Sequence, residues 1–307
     1  MRSTQDLALR IVEQHRRAVG DELRSALAAF RDPAEGSPRA RDLEWAAGGT
    51  VDRRDCLSGL WEAALGEVVE LLRVADEHAA GLAVLLGNDE LLPIPMLSLG
   101  RSIQEALLEV CWAVDPALEP AARTSRWAAL LLRTIQGNVG PLSQVPNGTE
   151  KLAEVREAMT GMQALLTNAQ FDLKFDKKHP EFVSSVAYER SARAALKINI
   201  TEAAERYMPG VEYMWTLGSG ATHSRNWFTG GLEGPVDVFY IMIVAPLLDF
   251  TDAAIDLTHG LVGLSSTNFH NRAHLRRTAL FQRRPDRDPR LMQASYSEYA
   301  AARQKRL

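Results

Sequence analysis

Cysteine is scarce in this chain: two in 307 residues, Cys56 and Cys111. Two thiols make neither a disulfide framework nor a zinc cluster. Both lie in apolar helical stretches, so they are expected as buried free thiols of a reducing compartment. Long apolar runs are missing too. The longest, Val238 to Leu248, is closed by Asp237 and Asp249 and falls well short of the ~20 residues a membrane helix needs. The opening MRSTQDLALR has no apolar signal core. The expectation is a cytoplasmic protein with no membrane contact. Lysine is rare, six against 29 arginines, a bias of high-GC bacterial genomes, so the Asn-x-Thr patterns at Asn147 and Asn199 carry no weight as glycosylation sites. Positive charge is in deficit overall: the net charge of −4 argues against a general nucleic-acid binder, which needs a basic surface. The basic tail 276–307 is the exception. Absent as well are a phosphate-binding glycine loop, a dinucleotide fingerprint and a Gly-x-Ser-x-Gly elbow, and no repeat of fixed period occurs. No metal site and no cofactor are expected.

What the chain does have is helical periodicity. Hydrophobic content of 46% and charged content of 24% are those of a globular protein. Apolar residues recur at threes and fours in Leu7 to Phe30, in Leu57 to Ala79 and in several later segments. Prolines and glycines punctuate these segments: Asp32-Pro33, Gly87-Asn88, Pro93 and Pro95, Asp115-Pro116 and Gly137-Asn138. The pattern predicts an all-α antiparallel helical bundle, with helices near 4–30, 52–86, 96–114, 120–136, 149–170, 201–208, 236–260 and 267–281. Residues 32–50, rich in Pro, Gly and mixed charge, read as a loop. Phe171 to Asp176 alternates apolar and polar and allows a small β-hairpin near 171–190. One helical domain is expected over 1–281, followed by a loosely packed basic tail, 282–307.

Two stretches carry polar residues that plain helix packing does not need. In Gly100 to Pro116, Arg101, Glu105 and Glu109 stand four apart and share a helix face. That face is either a wet surface stripe or the wall of a cleft, with Glu109 expected nearer solvent than Glu105. Trp112 and Asp115, then Arg123 and Arg126 on the next helix, would extend the cleft. The second stretch, Tyr213 to Phe228, breaks an aromatic helix with Gly218-Ser-Gly220 just before His223, then Arg225 and Asn226. Glycines there suit a close backbone approach, and Trp215 and Trp227 flank the histidine.

As a set, Arg101-x3-Glu105, Trp112-Ala-Val-Asp-Pro116 and Ser219-Gly-Ala-Thr-His223 with Trp227 resemble a pattern of all-helical proteins from high-GC bacteria. That resemblance covers about 95–230 and implies a shared helical fold and polar centre, with no activity attached. Helical nucleases of the HEPN type pair an Arg with a His a few residues on. Arg10…His15 and Arg73…His78 fit that spacing, but arginine is so common here that chance supplies as many. His270 and His274, at i and i+4, lack the glutamate of a zinc-hydrolase helix. Asp249, Asp252 and Asp256 loosely resemble the magnesium-binding aspartates of a class I terpene cyclase, though a solvated helix face accounts for them as well.

The reading that follows is a ligand-binding or protein-interaction module. Its polar pocket involves Arg101, Glu105, Trp112, Arg123, Arg126, Trp215, His223 and Trp227, and its partner is a small molecule or a protein. The alternatives are an enzyme with Glu105 and His223 as acid–base groups, a HEPN-like ribonuclease or defence protein, and a terpene-cyclase-like lyase.

Overall fold

The computed structural model describes residues 4–146, 148–222 and 236–282. Helices account for most of it: α1 Thr4–Arg31, α2 Pro38–Ala47, α3 Val51–Leu86, α4 Pro93–Val114, α5 Pro120–Gly137, α6 Val139–Gln144 and α7 Thr149–Asn168. After a small sheet come α8 Ile200–Tyr207, α9 Tyr213–Thr222, α10 Val236–Val262 and α11 Thr267–Phe281. The fold is all-α, as periodicity predicts. The sheet is β1 Phe171–Phe175, β2 Val183–Tyr188 and β3 Ala194–Ala195, antiparallel in that order. Phe171 pairs with Tyr188, and their rings meet at 4.3 Å. The expected hairpin is thus present with a third short strand added. Tail residues 283–307 lie outside the described residues.

The central helix is α4, which packs against α3, α9 and α10. One buried apolar cluster runs from Ala8 on α1 to Leu280 on α11. Trp127 sits within it, its indole N–H donating to the Ala113 carbonyl at 2.7 Å and its ring edge-on to Trp61. Within α10, Val238–Val262 is long and apolar enough to cross a membrane by length and composition, yet 83% of its most apolar window is buried inside the fold.

One expectation fails outright: residues 32–50 are not all loop. Ser37 caps α2, its hydroxyl accepting from the Ala40 amide at 3.1 Å, and Pro38 occupies the first helical turn. Ser followed by Pro is a start signal that the surrounding glycine and charge obscured. This short helix matters, because it places Arg39 over the rings of Phe30 and Trp61, at 4.1 and 4.4 Å, and Asp42 against α5. Thr50 likewise caps α3. Gly263 ends α10 with φ +81, and a side chain there would lie 2.6 Å from the Ala34 Cβ, so only glycine fits the turn.

Candidate functional site: the polar face of helix α4

The face of α4 that carries Arg101, Glu105, Glu109 and Trp112 is half-buried along its length. The 3.6-residue period lines these four up, and α9 covers the first two. Glu105 Oε1 accepts from Arg101 Nε at 2.9 Å and from the Trp215 indole N–H at 2.7 Å. The Arg101 guanidinium lies 5.3 Å from the Trp215 ring centroid. Helix α9 can come this close because of Gly218: a side chain there would stand 2.5 Å from the Arg101 Cβ and 2.8 Å from the Leu97 carbonyl oxygen. At the end of α9 the Thr222 hydroxyl reaches the Ser98 hydroxyl at 3.3 Å, one turn of α4 before Arg101. Arg101, Glu105 and Trp215 therefore meet. His223 and Trp227 lie outside the described residues.

Glu109 is no nearer to solvent than Glu105. Its carboxylate pairs with Arg133 of α5, and its side chain is 25% exposed against 33% for Glu105. Burial pushes the Glu109 carboxyl above the usual range, partly offset by Arg133. The expected contrast between the two glutamates fails because α5 covers the second as α9 covers the first.

At the far end of the face, Arg126 donates to the Trp112 carbonyl at 2.7 Å and to the Tyr207 hydroxyl at 2.8 Å, with its guanidinium 5.1 Å from the Trp112 ring. Tyr207 in turn donates to buried Asp115 Oδ2 at 2.8 Å, which also takes Arg206 at 2.6 Å. Burial pushes the Tyr207 hydroxyl up to about 12. Trp112 and Arg126 thus belong to the face. Arg123 does not. It is turned into the core, donating to Asp42 at 3.0 Å and to the carbonyls of Asp115 and Leu118 at 2.9 and 2.7 Å. Its partner Asp42 sits on α2, within the 32–50 stretch whose composition reads as loop, so nothing near Arg123 in sequence marks it as paired.

The aspartates of α10 are not a solvated face. Asp249 and Asp252 are buried and pair with Arg277 of α11, and His270 of α11 pairs with Asp252 and Asp256. Those two aspartates hold the His270 imidazole up at about 9. Each carboxylate has a protein cation for a partner, so the cluster ties α11 to α10. Among the described residues no group of three or more metal-ligating side chains is assembled. Nor do the Arg/His spacings form pairs. Arg10 bonds the Asp6 carbonyl, whereas His15 is buried between Thr251 and Arg276. Arg73 pairs with Glu70 and Glu77. Of the two thiols, Cys111 is buried as expected, while Cys56 is only half-buried.

Family models, curated proteins and solved structures were compared with the chain, and none matches.

Proposed function

We propose that this chain is a helical ligand-binding protein whose recognition site is the α4–α9 face built on Arg101 and Glu105. One observation carries the reading. Glu105 is held at a single oxygen by both Arg101 Nε and Trp215, so the second carboxylate oxygen and the terminal nitrogens of Arg101 have no hydrogen bond among the described residues. An acceptor and a set of donors then lie side by side, on rotamers fixed by α9. That arrangement suits a small polar molecule presenting a donor next to an acceptor, such as an amide or a nucleobase edge. The aromatic ring of Trp215 supplies a flat wall. An unpaired, half-buried thiol at Cys56 fits a reducing compartment, in keeping with a cytoplasmic protein.

The test is a thermal-shift and calorimetric screen of free amino acids, amides, nucleobases and nucleosides. A binder should lose at least about tenfold in affinity on Glu105→Gln, which costs the second oxygen its charge, and on Arg101→Met. Binders that ignore both substitutions would refute the site. A second reading, acid–base catalysis by Glu105 and His223, rests on Thr222 reaching Ser98 immediately before that histidine. It predicts that Glu105→Gln shifts the His223 titration seen by NMR, and an unmoved titration would dismiss it.

A further inference from the structure

Away from α4, an open cavity of about 1100 Å³ lies where the first turns of α3, the last turns of α7 and the end of β2 converge. It is the product of small residues. Gly48 and Gly49 form the turn before α3, and Gly161, Ala164 and Ala169 line the α7 side. Leu165 supplies apolar wall beside Ala164 and is exposed although it is a large hydrophobe, whereas Leu57 is buried beneath the floor.

Among the described residues Arg53 is the one cation lining this space, and Asp52 the one carboxylate. Its guanidinium rests on the Trp45 ring at 4.5 Å, with Tyr188 at 5.8 Å. Gly49 makes room for it, since a side chain there would come within 2.6 Å of the Arg53 Cδ. Two of its nitrogens, Nε and Nη2, are buried and have no hydrogen-bond acceptor. Glu189 stands 2.9 Å from Nη2 as an ion pair, but without hydrogen-bond geometry. Nε and Nη2 form one edge of the guanidinium, the side-on fork that takes both oxygens of a carboxylate in parallel. A buried donor without an acceptor is costly, and here Nε has none while Nη2 has only the Glu189 ion pair. The rim adds backbone strain: Gln170 and Glu189 hold φ of +67 and +54 without being glycine.

We infer that this cavity is a second ligand site, independent of the α4 face, for an organic carboxylate with an apolar body. The carboxylate fills the Arg53 fork, displacing Glu189 toward solvent, and the body lies along Ala164 and Leu165. Neither a bare anion nor a neutral amphiphile satisfies both halves.

Decanoate is a suitable probe, measured by calorimetry on the full chain, with decanol and inorganic phosphate in parallel. Wild type should bind one decanoate per chain, and more tightly than either control. Gly161→Leu fills open space, since nothing lies within 4 Å of the added Cβ. It should leave the fold intact and weaken binding at least tenfold. Arg53→Met should reduce decanoate affinity to that of decanol, and Glu189→Gln should tighten decanoate by removing the competing carboxylate. Cys56, which lines the cavity, reports independently: bound decanoate should slow its alkylation by iodoacetamide. Absence of saturable decanoate binding, binding indifferent to Gly161→Leu, or phosphate binding as tightly as decanoate would each overturn the proposal. Should Arg53→Met fail to fold, the Gly161 and Glu189 variants decide the matter.

Discussion

Replacing Arg123 by methionine removes the one charge that ties α2 to α5 deep in the fold. The Arg123 and Asp42 side chains are 2% and 3% exposed, so solvent screens neither. Three acceptors lose a donor together: Asp42 Oδ2 and the carbonyls of Asp115 and Leu118. Breaking a buried pair from one side costs about 3–5 kcal/mol. Asp42, whose carboxyl is already raised by burial with Arg123 opposing, should be raised further once that arginine is gone, which softens the loss. The double variant Arg123→Met/Asp42→Leu removes both charges, and for an isolated pair it would be nearly neutral. It is not neutral here, because the Leu118 carbonyl loses its donor at about 1–3 kcal/mol, while the Asp115 carbonyl keeps the Leu118 N–H at 3.3 Å. The single variant should therefore lose about 4 kcal/mol and the double about 2. The coupling between the two sites would be read from a double-mutant cycle in urea, followed by far-UV circular dichroism. A loss below about 1 kcal/mol for Arg123→Met would refute the claim that this arginine is a structural strut, and would return it to the list of ligand candidates.

The two glutamates of α4 should now behave alike. Glu105→Ala and Glu109→Ala should each cost about 0.5–1.5 kcal/mol, since each loses a part-screened arginine pair; a threefold difference in urea stability would show that one pair is far better insulated. Stability should also depend on pH through two histidines. Burial pushes His15 down to about 3, so below pH 6.5 the unfolded chain binds the extra proton and stability falls with pH. His270 is held up at about 9, so its contribution is complete below pH 6.5 and is lost as pH rises through 9. Melting temperature should peak near pH 6–7, with His15→Gln flattening the acid limb and His270→Gln the alkaline limb; unchanged limbs would discount these groups. Gly218→Ala should force α9 away from α4 and cost about 2 kcal/mol, and it should weaken any ligand of the Arg101–Glu105 face more than one of the Arg53 cavity.

Where the sequence carried its own punctuation, the fold was legible. Pro93, Pro120 and Gly137-Asn138 set helix ends that the structure keeps within a few residues, because proline fixes φ and removes a donor wherever it stands. Helix α2 was lost for the opposite reason. Its ten residues bury Arg39, Asp42 and Ala46, not an apolar stripe, so it had no hydrophobic period to find. What holds it is a cation on aromatic rings and a buried ion pair, both made with distant segments.

The same cause separates the parts of the site that could be read from those that could not. Arg101 and Glu105 are four apart on one helix, so their pairing is local and follows from the period. Trp215 joined them because Gly218 advertises close approach by having no side chain. Asp249, Asp252 and Asp256 also share a face by spacing, yet spacing alone is silent on whether that face is wet. The answer lay with Arg277 and His270 on another helix, and a charge is dry only when something distant comes to meet it. Arg53 is the extreme case. Nothing near it in sequence marks it out from the other 28 arginines. Its Nε without an acceptor emerges only when Trp45 of α2 and the neighbours Tyr188 and Glu189 at the end of β2 are gathered around it. A ligand site of this kind is defined by what the fold brings close and then leaves unpaired, so its signal in the chain is dispersed by construction.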